Sequence, residues 1–377
     1  MIGPSYPAAG AVAVMAQAHF ARHLAVARDR GFADLAFEPD AATIERIINV
    51  AFWASLRREE GYVPRISLAF LPPEQTLQPL IFEHRLPLAP GSLTHLAPAV
   101  ERPGIHLGVW RERGELCLWG TTSTIPTMCF VLEVVAPGLL VIKHRRGTEA
   151  AKYVNVAVLE GDQIKVLDER AAAVPDCPVL ESSLLGFDSP SPESGNVLID
   201  LAVSMRKHKR GGALLVVPAD SRSWLESIVR PISYAVEPSF RALAELMRQS
   251  PEHRMRPEFQ EALHRVVDAV AGLTAVDGAT VLTDQYDVLA FGAKIARRTG
   301  SPRVEQVVVT EPIEGNVPAV GPPSELGGTR HLSAAQFVLD QKDAVAYVAS
   351  QDGRFTIFAW SPCDKMVHAR RVETLLL

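Results

Sequence analysis

The chain has 377 residues, 47% of them hydrophobic and 21% charged, with a formal net charge of −5. That length exceeds one small core and predicts two domains, and the composition argues against a globally disordered chain. The mildly acidic balance leaves no global footprint for nucleic acid, so no nucleic-acid partner is expected.

Residues 11–30, rich in Ala and apolar at helical spacing, predict a first helix. A second follows: Asp40 can cap it, and Ile44, Ile47, Ile48, Ala51, Phe52 and Leu56 trace one face. From Arg65 the period becomes two. Ile105, Leu107 and Val109 alternate with polar neighbours, and Arg111-Glu112-Arg113-Gly114 turns the chain into Leu116 and Leu118. Val154, Val156 and Val158 repeat the device, with Glu160-Gly161-Asp162 as the turn before Ile164 and Val166. The pattern predicts an α+β module over residues 1–170 with about six to eight mostly antiparallel strands.

Pro175, Pro178, Pro190 and Pro192, mixed with Ser and acidic residues, predict a linker over 171–195. Residues 196–377 then alternate helices with apolar strands. Helices are expected at Val197–Lys207, Ser239–Arg248, Glu258–Leu273 and Leu332–Leu339. Strands are expected at Gly211–Pro218, Ala279–Thr283, Val288–Gly292, Val345–Ala349 and Phe355–Trp360, with a loop rich in Pro and Gly from about Glu311 to Gly328. The continuous run Gly212-Ala213-Leu214-Leu215-Val216-Val217 suits the centre of a sheet covered on both faces. The fold class is therefore α/β, a mixed sheet with flanking helices preceded by a mostly antiparallel β module.

The four cysteines, Cys117, Cys129, Cys177 and Cys363, form no C-x-x-C pair and fit a reducing compartment. The N-terminus lacks the order of a signal peptide, and no apolar run approaches the about 20 residues that span a bilayer. The expectation is a cytoplasmic protein without a membrane partner. Arg206-Lys207-His208-Lys209-Arg210 and Lys143-His144-Arg145-Arg146 read as solvated element ends, with the first also placed where it could lie near a nucleotide triphosphate. His19 and His23 have metal-binding i,i+4 spacing, but without a third ligand nearby they read as ordinary helix histidines. Trp110 and Trp119 read as a cross-strand core pair rather than a stacking platform.

Two strings carry chemistry. In Asp277-Gly278-Ala279 a carboxylate stands at the mouth of an apolar strand, and the small residues after it admit a ligand close to the backbone. Such a carboxylate can hold Mg²⁺ or Mn²⁺ beside phosphate, although Asp-Gly is also an ordinary turn. In Gly328-Thr329-Arg330-His331 glycines lead into a helix start, where free N–H groups favour phosphate and Thr329, Arg330 and His331 add donors. Alone, the string also reads as a Gly-rich loop with a Thr cap.

Together, with Phe291-Gly292-Ala293 between them and Ala349-Ser350-Gln351 after them, these strings resemble the diadenylate cyclase domain from about Val197 to Trp360. Ser350-Gln351 is similar to the DNA-integrity-scanning branch. The separate N-terminal module is similar to the arrangement of diverged, DACNV-type sensor proteins. The resemblance implies a nucleotidyltransferase that condenses two ATP into cyclic di-AMP within a face-to-face homo-oligomer. It implies Asp277 as metal ligand and activator of the 3′-hydroxyl, and Thr329, Arg330 and His331 as catalytic phosphate holders. Gly212, Ala213, Leu214, Gly278, Ala279, Gly328, Ser350 and Gln351 would line the nucleotide. Two departures stand out: Leu332 replaces a family arginine, and Asp352-Gly353 stands where the scanning branch has phosphate-gripping arginines. They keep open the alternative of a sensor that binds a nucleotide, ATP or a cyclic dinucleotide, without turning it over.

Overall fold

The computed structural model describes residues 5–145, 153–167, 197–254 and 256–377. The expected linker over 171–195, Cys177 and Arg146 lie outside the described residues. The chain divides into two compact units at Leu167, with the terminal Leu377 grouped with the first. Among the described residues no helix is long and apolar enough to cross a membrane.

The first unit opens with α1 (Pro7–Asp29) and α2 (Ala41–Ser55). Asp40 caps α2 as its spacing predicts, its carboxylate accepting from Thr43 N–H at 2.8 Å and from Arg111. The strands are β1 (Ile66–Phe70), β2 (Leu80–Pro87), β3 (His106–Glu112), β4 (Glu115–Thr122), β5 (Phe130–Ala136), β6 (Leu139–Arg145), β7 (Tyr153–Glu160) and β8 (Gln163–Val166), with a short α3 (Pro90–Leu96) after β2. They form one sheet in the order β2-β4-β3-β1-β5-β6-β7-β8, antiparallel except for the parallel pair β1–β3. Arg113 and Gly114, both at positive φ, make the predicted tight turn between β3 and β4.

Period-two alternation assigns the two faces of this sheet. Ile66, Leu68, Leu107, Val109, Leu132 and Ile142 pack with α1 and α2 in one core. Their strand neighbours Ser67, His106, Glu133 and Lys143 are polar and face the other way. Ser67 Oγ lies 2.7 Å from His106 Nδ1, His106 Nε2 lies 2.9 Å from the Tyr153 hydroxyl, and Lys143 pairs with Glu133 at 2.6 Å. Burial, with Lys143 adding repulsion, lowers the His106 pKa to about 4. Trp119 is fully buried and donates to the Leu71 carbonyl at 2.7 Å, while the Trp110 ring lies against Phe37 and Phe70. The Trp119 ring crosses Gly108 so closely that a Cβ there would sit 2.0 Å from it.

The second unit contains α4 (Val197–Lys207), β9 (Gly212–Val217), β10 (Tyr234–Phe240), α5 (Ala242–Met247), α6 (Pro251–Arg254), α7 (Pro257–Leu273), β11 (Ala279–Thr283), β12 (Val288–Ala293), β13 (Val307–Thr310), β14 (Ala319–Gly321), α8 (Thr329–Asp340), β15 (Val345–Ala349), β16 (Phe355–Ser361) and β17 (Met366–Arg371). Its nine-stranded mixed sheet runs β10-β12-β11-β9-β15-β16-β17-β13-β14, with β9–β11 and β13–β17 parallel. Strand β9 is central and covered on both faces. Leu214 packs with Leu201, Met205, Val267 and Val270 of α4 and α7, while Ala213, Leu215 and Val217 pack with Ala334, Phe337 and Val338 of α8. The result is a helix–sheet–helix sandwich.

Four expectations change, the first being that Lys143 and His144 are buried within β6 rather than solvated at an element end. Ser239 and Phe240 end a strand instead of opening a helix, because the main chain there pairs with β12 at Phe240–Val288. Helix α8 starts at Thr329, a turn before Leu332, with Gly328 as its N-cap. Strand β17 carries His368, Arg370 and Arg371, so its charge hides a position between β16 and β13 that buries His368 and Arg370.

Gly108→Ala is expected to destabilise the first unit by about 3 kcal/mol, since the Trp119 ring has no open space to enter; chemical denaturation measures this. A pH dependence also follows. His106 titrates at about 4 and His19 at about 3 in the folded chain, against about 6.5 unfolded. Above pH 6.5 neither state holds the extra protons. Below it the unfolded chain takes them up first, so stability falls as pH drops from 6.5 toward 4. The thermal midpoint should follow that course, and His106→Gln should flatten it.

Candidate functional site

A pocket of about 240 Å³ opens in the second unit beside the starts of β9 and β11, the end of β12 and the first turn of α8. Its floor is small-residue backbone. Ala213, Ala279 and Ala293 are direct register partners across β9, β11 and β12, all three line the pocket, and all are nearly fully buried. Gly278 has φ +106°, and a Cβ there would lie 2.5 Å from the Gly292 carbonyl carbon. Gly292, at φ +62°, lies under the Tyr234 ring, which stacks on Phe291 at 4.8 Å. Only glycine permits this approach of β11 to the bulged end of β12.

Around the floor stand Asp277, Lys294, Thr329, Arg330 and Ser333, with Ile295 completing the wall. Helix α8 brings three of these together, since Thr329, Arg330 and Ser333 share its first turn and a half. Gly328 caps that helix without a side-chain hydrogen bond, so its first N–H groups and its dipole offer positive potential at the pocket. Among the described residues Asp277, Lys294 and Arg330 form no ion pair, whereas Arg354, Arg298 and Arg241 pair with Asp352, Glu226 and Asp287. The Arg330 Nη1 lies 3.0 Å from the position a Gly211 Cβ would take, and the Ala349 carbonyl lies 3.2 Å from it. Gly211, at φ +69°, therefore leaves the room that Arg330 occupies.

The structure gathers Asp277, Gly278, Ala279, Ala213, Thr329 and Arg330 at this pocket. It places the other candidates elsewhere. Leu214 points to the opposite face of the sheet, toward α4 and α7. Gly212 lies against Thr274, where a Cβ would meet the Thr274 carbonyl oxygen at 2.6 Å. His331 is buried beneath Gly327 with its ring edge on Phe358, and burial pushes its pKa below the usual histidine range. Ser350 and Gln351 form the turn from β15 to β16, and Gln351 Nε2 donates to the Arg210 carbonyl at 3.4 Å. Leu332 joins the core between α8 and the sheet, and Asp352 pairs with Arg354 at 3.3 Å outside the pocket lining.

Lys294, Ser333 and Gly211 were not singled out from sequence. Ser333 follows Thr329 by one helical turn, a spacing that could have found it; Lys294 stands just after β12 and has no such signal. In the first unit His144 on β6 joins His19 and His23, with ring centroids 5.6 and 6.0 Å from theirs. Burial foremost, with its two imidazole neighbours, lowers the His19 pKa to about 3. Among the described residues no group of three or more His, Cys, Asp or Glu could hold a metal ion by protein ligands alone.

Residues 33–123, from the loop after α1 through β4, match the family model described as "Probable sensor domain DACNV". The match covers less than half of the chain and lies in the first unit. That family model is not one of a diadenylate cyclase domain, and no curated protein matches the chain.

Gly278→Ala is expected to cost at least about 2 kcal/mol through the left-handed backbone and the contact with Gly292; denaturant unfolding followed by Trp224 or Trp360 fluorescence measures it.

Proposed function

We propose that the second unit binds the phosphate of a nucleotide in this pocket and that the protein is a nucleotide sensor. One observation carries the reading: Arg330, Lys294 and Asp277 line a single pocket beside the start of α8, and none is engaged in an ion pair among the described residues. These unpaired charges are open to a charged ligand, and a helix N-terminus with a forked guanidinium suits phosphate. The small-residue floor lets a ligand lie against the backbone. The match of residues 33–123 to a probable sensor domain supports a receptor role for the chain.

The second reading, turnover of ATP to a cyclic dinucleotide, is favoured by Asp277 in the same pocket. Asp277 would share a Mg²⁺ or Mn²⁺ ion with the phosphates; one free carboxylate with neighbouring hydroxyls fits a cation that also takes ligand oxygens, though not an all-protein cage. The cation would neutralise phosphate charge, Arg330 and Thr329 would orient the phosphates, and Asp277 would receive the proton of the 3′-hydroxyl as its oxygen bonds to the α-phosphorus of the facing ATP and pyrophosphate leaves. That chemistry needs two copies facing each other.

Calorimetric titration of the purified protein with ATP, cyclic di-AMP and adenosine tests the proposal, with products analysed by mass spectrometry in the presence of Mn²⁺. A phosphate-bearing ligand is expected to bind, adenosine is not, and Arg330→Ala should weaken binding about tenfold or more. Bound nucleotide recovered unchanged supports the sensor. A cyclic product abolished by Asp277→Asn supports turnover, and no binding of either nucleotide removes both readings.

A further inference from the structure

We infer that Lys294 is the second phosphate-binding cation of the pocket, supplied by the end of β12 where the helix offers only Leu332. The inference rests on the phosphate-binding reading above and adds a residue that no motif marks. Helix α8 contributes a single cation to the pocket, Arg330, because Leu332 two positions on is committed to the core. Other cations of this region do not line it. Lys209 and Arg210 precede β9 outside the lining, and Arg354 is paired with Asp352 at 3.3 Å. Lys294 does line it, and it forms no ion pair among the described residues.

The topology sets Lys294 and Arg330 on opposite flanks. Strand β12 lies on the far side of β11 from β9, whereas Arg330 lies against Gly211 and the end of β15 beyond β9. Asp277-Gly278-Ala279 runs between them. A phosphate on this floor therefore meets a guanidinium from one side and an ammonium from the other. The backbone at Lys294 is held: Val229 N–H donates to its carbonyl at 2.8 Å, and the preceding Ala293 pairs with Ala279. The side chain itself is exposed, free to adjust to the phosphate as a compact point charge. The division of labour is chemical: Arg330 fixes orientation with its planar fork, and Lys294 supplies charge.

The test is titration of wild type, Lys294→Ala and Lys294→Arg with ATP, cyclic di-AMP and adenosine. Lys294→Ala is expected to bind the phosphate ligand about tenfold more weakly, with an unchanged thermal midpoint because the side chain is exposed. The loss should shrink as salt rises, and Lys294→Arg should restore most of it, neither of which a packing defect would produce. Wild-type-like affinity in Lys294→Ala overturns this inference and leaves the phosphate-binding reading standing. Failure of wild type to bind either nucleotide overturns both.

Discussion

The second unit depends on a row of three alanines. Ala213, Ala279 and Ala293 meet in register on β9, β11 and β12, so three neighbouring strands present almost no side chain at one end of the sheet. Elsewhere on that face Leu215, Val217 and Val281 fill the space beneath α8. The pocket is the place where filling stops. The same shortage of side chain lets Gly278 approach Gly292 and aims the first turn of α8 at bare backbone. Larger residues in the row would complete the core and erase the pocket.

Charge then decides what the cavity suits. Most arginines of this unit that lie near acids are paired, whereas Arg330 and Lys294 face the cavity along with one carboxylate. Keeping them apart is a matter of position: Asp277 stands at the mouth of β11, between cations that belong to a helix and to a different strand. Residues that look adverse for phosphate in the linear string are neutralised in the fold. Asp352 is matched by Arg354, and Leu332 is absorbed by the core. His331, three residues into a phosphate-like motif, supports the loop from below as a neutral packed ring.

The first unit buries its polar groups differently. One sheet face is apolar and closed by α1 and α2, and the other carries Ser67, His106, Glu133 and Lys143 on adjacent strands. Each member of that polar set has a partner, so burial is compatible with stability near neutral pH. The matched segment 33–123 supplies β1 to β4, and with them His106 and Ser67 of this set.

Local physics was legible in the chain. The Asp40 cap, the Arg113-Gly114 turn, the helix Val197–Lys207 and the doubly buried β9 follow from periodicity and turn chemistry, which act over a few residues. Asp277-Gly278-Ala279 and Thr329-Arg330 were visible for the same reason: each is one short string with its own backbone demands. What needed tertiary structure is whatever depends on a partner distant in sequence. Strand β17 exists because β13 and β16 flank it despite its charges, and β10 takes Ser239 from a helix-like stretch because β12 offers hydrogen bonds. Side-chain direction likewise depends on the packed sheet, which sends Leu214 away from the pocket, folds His331 under it, and brings in Lys294 from β12. The sequence by itself determined which short strings could line a pocket; only the packing of α8 against a three-strand alanine floor decided which charges face it.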